Sequence, residues 1–157
     1  MKILVTLAMT LALATGPVEA ESSPPPPAPV YDADLAQKLG ADDYGMRSYV
    51  LVVLRTGPTP VPKGPERDAM FKGHFANIER LAADGKLVIA GPFGEPAGDW
   101  RGLFIFDVKT IDEAKALTET DPVIKNGEMV AEYHPWYGSA ALKLVNEAHP
   151  KVQKKGL

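Results

Sequence analysis

The segment FKGHFANIERLAADGKLVIAGPF, Phe71–Phe93, changes its hydrophobic period part-way along. Phe71, Phe75, Ile78 and Leu81 recur at three- and four-residue spacing, which predicts one apolar face of a helix over 66–84. Gly85 is placed to end it, because only glycine enters the left-handed conformation of a helix exit without a steric penalty. Lys86–Ala90 then reads as a strand.

Reading outward, Ser48–Leu54 (SYVLVVL) is a buried strand, and Gly57, Pro58, Pro60, Pro62 and Gly64 make 56–64 a loop. Pro65 suits the first turn of the following helix. Downstream, Gly91, Pro92, Gly94, Pro96 and Gly98 mark a turn-rich connection to a third strand, Gly102–Val108. Thr110-Ile111-Asp112-Glu113 fits a capping box opening a helix that runs to Thr118 and buries Ala114 and Leu117. Asp121-Pro122 stops that helix, Val123–Asn126 adds one turn, Met129–His134 is a fourth strand, and Ser139–Glu147 a C-terminal helix. Asp32–Leu39 is a short helix closed by Gly40.

The order strand, helix, two strands, helix, strand predicts an α+β, ferredoxin-like βαββαβ domain: an antiparallel sheet with two helices on one face. Val50, Val52, Leu103 and Ile105 are expected on the other face, too apolar to be left wet. Pairing two sheets face to face predicts a homodimer.

The first residues carry a different message. Met1-Lys2, an apolar run Ile3–Ala14 and Val18-Glu19-Ala20 have the layout of a secretory signal peptide, so 1–20 is expected to be removed and the protein exported, periplasmic or secreted. The apolar run falls short of the roughly 20 residues a membrane span needs, and no membrane association is expected after cleavage. Residues 21–30 form a proline-rich linker, 31–46 an N-terminal extension, 47–138 the folded domain, and 139–157 a C-terminal helix with a basic tail. The chain has no cysteine, which excludes disulfides and thiolate chemistry. The net charge of −3 and the lack of a basic stripe argue against nucleic acid.

Residues 47–136 resemble the YciI-like family of the dimeric α/β-barrel superfamily. The carriers are FKGHFANIERL with His74, GKLVIAGPF, Arg101-Gly102-Leu103, DEAKALTETDPVIKNG and His134-Pro135-Trp136. LGADDYGMRSYV (39–50) and HPWYGSAALKLVNEAH (134–149) also resemble an exported subgroup. The resemblance implies a dimeric α/β barrel with a His–Asp dyad in a cleft, His74 matching the family's helix histidine and Asp121 the aspartate of its DP motif. It says little about a substrate.

Two readings of His74 stand side by side. In one it is a core histidine satisfied by a single hydrogen bond. In the other Asp121 holds one ring nitrogen, fixes the tautomer and frees the second nitrogen as acid or base. Asp121 likewise reads as a simple helix cap or as cap and dyad partner together. Strand alternation sets Glu132 and His134 opposite Met129, Ala131 and Tyr133, facing a cleft or the dimer face. Arg101 is a candidate for an anionic substrate group, and Pro92 and Phe93 for the cleft wall. The three histidines lack metal-ligand spacing, so neither metal nor cofactor is expected. The functional expectation is a small-molecule site. It either catalyses His/Asp proton transfer, an isomerisation or elimination, or serves as a non-catalytic ligand-binding or accessory dimer module.

Overall fold

The computed structural model describes residues 28, 30–95 and 98–156; the apolar start 1–20 and nearly all of the linker 21–30 lie outside them. Ala28, Val30 and Tyr31, the described part of the unit Met1–Tyr31, are exposed. All regular elements among the described residues belong to the unit Asp32–Leu157.

Four strands, β1 (Met46–Thr56), β2 (Leu87–Pro92), β3 (Trp100–Phe106) and β4 (Met129–Ser139), form one antiparallel sheet in the order β2-β3-β1-β4. The helices are α1 (Ala33–Leu39), α2 (Pro65–Ala83), α3 (Ile111–Thr118), the single turn α4 (Pro122–Lys125) and α5 (Val145–Val152). A 3-10 segment, Ala140–Leu144, precedes α5, where the sequence predicts one continuous helix over 139–147. The result is an α+β, ferredoxin-like fold. Local chemistry sets the boundaries. Asp32 accepts from the Leu35 N–H at the start of α1, and Thr110 and Glu113 complete the reciprocal cap of α3.

Register decides which side chains share a face. Val50, Val52 and Leu54 lie opposite Phe106, Phe104 and Gly102. The apolar side chains among them pack in one core with Met70 and Leu81 of α2, Ala114 of α3 and Val123 of α4. Each of the larger aliphatic side chains so buried stabilises the fold by about 1.5–3 kcal/mol before entropy is subtracted. The opposite face carries a smaller cluster, Tyr49, Val88 and Ile105, with Ile89, Leu103, Trp136 and Leu142 packed against it. The expected grouping of Val50 and Val52 with Leu103 and Ile105 is therefore corrected. Val50 and Val52 point to the helices, and Leu51 and Val53 share the second face with Ile105 and Leu103. SYVLVVL is apolar at every position from Val50 to Leu54, so it offers no alternation from which to read a face.

The buried stripe of α2 also differs from expectation. It consists of Met70, His74, Asn77 and Leu81, while Phe71 and Ile78 are half-buried and Phe75 is exposed. Two polar side chains are taken into the protein and three apolar ones are left at its edge. That inversion marks the candidate functional site.

Candidate functional site

His74 is on the third turn of α2 and Asp121 is the N-cap of α4, and their side chains meet inside the protein. His74 Nδ1 lies 2.8 Å from Asp121 Oδ2. The second carboxylate oxygen, Oδ1, accepts the Val123 N–H at 3.1 Å. Asp121 is fully buried and His74 is buried but for one edge. The cap and the pair thus coexist, each using a different oxygen. With the carboxylate accepting, Nδ1 carries the proton, which in the neutral ring leaves the lone pair on Nε2. Nε2 has no hydrogen-bond partner among the described residues.

Three neighbours fix the imidazole. It stacks on Phe104 of β3 at 6.1 Å and meets Phe71 edge-on at 5.9 Å and Phe75 at 5.4 Å. Gly73 lets α4 come close: a Cβ there would sit 3.0 Å from Pro122 Cγ. Glycine inside a helix costs roughly 0.5–1 kcal/mol relative to alanine, and here the cost is matched by an approach that brings Asp121 within reach of His74. Sequence reading missed Gly73, although a mid-helix glycine beside a candidate histidine is a signal of close packing.

The ring of His74 lines a cleft of about 780 Å³ at the β2 edge of the sheet. α2 forms one wall through Phe71, Phe75, Ile78 and Ala82, β2 forms another through Leu87–Pro92, and Phe104 and Leu54 lie at its base. Arg101, Pro92 and Phe93 line the same space. Phe93 packs on Trp100 at 5.1 Å. The volume and the apolar, aromatic lining with a few polar groups fall in the range that small-molecule sites occupy.

Glu132 and His134 are not in this cleft. They pair in register with Val53 and Leu51, on the face of the sheet away from α2. There His134 Nε2 lies 2.9 Å from Glu132 Oε1, and Arg55 binds both Glu132 and Asp99, all of them partly exposed. The two-residue period of β4 turns Ala131 and Tyr133 toward the helices, as the alternation predicts, and of the two places open to Glu132 and His134 it gives them the second face, so within one chain they are not grouped with His74.

Sequence reading also missed Glu128. This nearly buried carboxylate accepts from the Val61 N–H and from Arg67 Nη2, both at 2.6 Å. Burial pushes its pKa up, but the Val61 N–H, the bound Arg67 and the nearby Arg101 outweigh that and hold it below the ordinary carboxylate range. Arg67 in turn lies 4.4 Å over the ring of Phe71. Glu128 thereby ties the proline-rich loop and the start of α2 to the start of β4. No group of three or more potential metal-binding His, Asp or Glu side chains occurs among the described residues. Nor is any described helix long and apolar enough to cross a membrane.

Parts of the chain are similar to known proteins. The uncharacterized protein YjpA of Bacillus subtilis (strain 168) is 27% identical over 64 residues, 41% of this chain and 72% of that protein. A solved structure, 5-chloro-2-hydroxyhydroquinone dehydrochlorinase (TftG) from Burkholderia phenoliruptrix AC1100 in complex with 2,5-dihydroxybenzoquinone, is 25% identical. The match covers 55% of this chain and 92% of that one with a TM-score of 0.41. Residues 48–137, which carry α2, the whole sheet core and Asp121, match the YCII-related domain, and the chain belongs to that family.

Proposed function

We propose that the protein is an acid–base enzyme that moves a proton on a small cyclic or aromatic organic molecule, in an isomerisation or an elimination. The observation that carries this reading is the state of His74. One nitrogen is tied to a buried carboxylate and the other has no partner among the described residues, on a ring that lines an apolar cleft. Nε2 takes the substrate proton, Asp121 holds the tautomer and stabilises the imidazolium that forms, and Arg101 receives negative charge developing on the substrate. A general base so placed contributes roughly 100- to 10,000-fold.

Proton abstraction can be followed whatever the final product is. A panel of cyclic and aromatic carbonyl compounds is incubated with the protein in deuterium oxide, and loss of carbon-bound protons is followed by NMR. Exchange by the wild type that falls at least about 100-fold in His74→Ala supports the reading. Equal exchange by the variant, or none by the wild type across the panel, overturns it and leaves the cleft to a non-catalytic binding module.

Export and dimerisation belong to the same proposal. The layout of residues 1–20 supports secretion, and N-terminal mass analysis of protein from cell envelope fractions checks cleavage after Ala20. The half-buried Leu51, Leu103, Ile89 and Trp136 on the second face support a homodimer through that face, which sedimentation equilibrium checks.

A further inference from the structure

The cleft is longer than the dyad requires. One of its walls is β2, whose six residues span roughly 16 Å at strand rise. Arg101 stands at the Pro92 end, since Pro92 pairs with Gly102, and His74 is level with Ala90, which pairs with the Phe104 that its ring stacks on. The Leu87 end is closed by α5. Asn146 donates through Nδ2 to Leu87 O at 2.9 Å and to Ala82 O at 3.4 Å, clamping that helix across the ends of β2 and α2. From His74 to Ala82 is eight residues, about 12 Å along the helix.

Two things about α5 point to a ligand. It has no buried residue, so it is not there to complete the core. Yet its Val145 and His149, and Gln153 just after it, line the cleft, and His149 is exposed. The wall between the two ends is small and apolar, with Ile78, Ala82 and Ala83 on α2 and Val88 on β2. The helix also lies beyond the residues 48–137 that match the family.

We infer that α5 is a specificity wall, and that the cleft takes an elongated, two-ring-sized aromatic acid. Its anionic group faces Arg101, its first ring lies by His74, and a hydrogen-bonding group at the far end meets His149. This rests on the reading of the cleft as a small-molecule site and assigns its substrate class. An imidazole both donates and accepts, so a hydroxyl is the natural distal partner.

Three probes separate the parts: benzoate, biphenyl-4-carboxylate and 4′-hydroxybiphenyl-4-carboxylate, with dissociation constants from NMR titration of the full chain. The second ring tightens binding about tenfold and the distal hydroxyl a further few-fold. His149→Ala removes the gain from the hydroxyl and leaves the gain from the ring. Ala83→Trp, at an exposed position that tolerates bulk, fills the path and removes both, with benzoate bound as in wild type. Equal affinity for the three probes in the wild type, or a ranking unchanged in both variants, overturns the inference. Binding is read without turnover, so length selectivity that persists while deuterium exchange fails overturns only the catalytic reading. Exchange without length selectivity overturns only the role of α5.

Discussion

A histidine–carboxylate pair lies on each side of the sheet, and the two are nearly equal in length: 2.8 Å for His74–Asp121, held by helices, and 2.9 Å for His134–Glu132, on β4. Everything else about them differs. Asp121 is fully buried, has a backbone N–H on its other oxygen and faces a ring held among three aromatic side chains. Glu132 and His134 are each nearly half exposed, and Glu132 is shared with Arg55. Distance alone therefore does not make a site. Burial removes the water that would compete for each partner, and packing removes the rotamers that would spoil the geometry.

Asp121 gives the largest expected effect. Asp121→Ala strips the partner of His74 and the cap of α4 together and should cost about 2–4 kcal/mol in denaturant unfolding. Asp121→Asn is more discriminating. Its single amide oxygen serves either the Val123 N–H or the His74 N–H, whereas the carboxylate serves both. The loss should be about 1–2 kcal/mol, with deuterium exchange reduced as well. An Asn variant as stable as wild type would mean that the buried pair is no stronger than the exposed one, and the comparison would collapse.

The same contrast separates what sequence can reveal from what it cannot. β4 alternates, so the division of Ala131 and Tyr133 from Glu132 and His134 is legible from the residues alone. β1 is apolar on both faces, and nothing within it says that Val52 meets Phe104 while Val53 meets Leu103. In α2 the apolar period gives the helix but misses its phase by about one residue. His74 and Asn77 are buried because Asp121 and Thr120 arrive from distant positions in the chain to satisfy them. Hydrophobicity ranks both as surface residues, so only the fold can show that partners offset the cost of burying them. Asp121 was reachable through the DP motif, but Glu128 and Gly73 act through contacts with Val61, Arg67 and Pro122 that no local pattern encodes.

Glu128 supplies an intermediate case, a nearly buried carboxylate whose arginine partner keeps about a quarter of its side chain exposed. Glu128→Gln should cost about 1–3 kcal/mol at neutral pH, measured by urea unfolding. Its pKa is lowered from 4.5 in the folded protein, so its stabilisation is complete above that value and is lost as pH falls through the lower, folded one. Wild-type stability should accordingly drop more steeply than that of the variant below about pH 4.5, and the two curves should converge in acid. Parallel curves would assign the carboxylate no role in tying the loop to α2.

The smallest effect belongs to the second face. His134→Ala and Glu132→Gln should each change stability by no more than about 0.5 kcal/mol at protein concentrations low enough to keep the chain monomeric, because exposed ion pairs gain little over water. Concentration makes this the sharpest comparison. If a second copy covers Leu51, Leu103 and Trp136, the same two residues lose their solvent and their pair becomes a desolvated contact. A pair left incomplete there costs more than an absent one. The variants should then be near neutral in the dilute protein and weaken the dimer in sedimentation. An effect of equal size at all concentrations would mean that the second face is not where two chains meet.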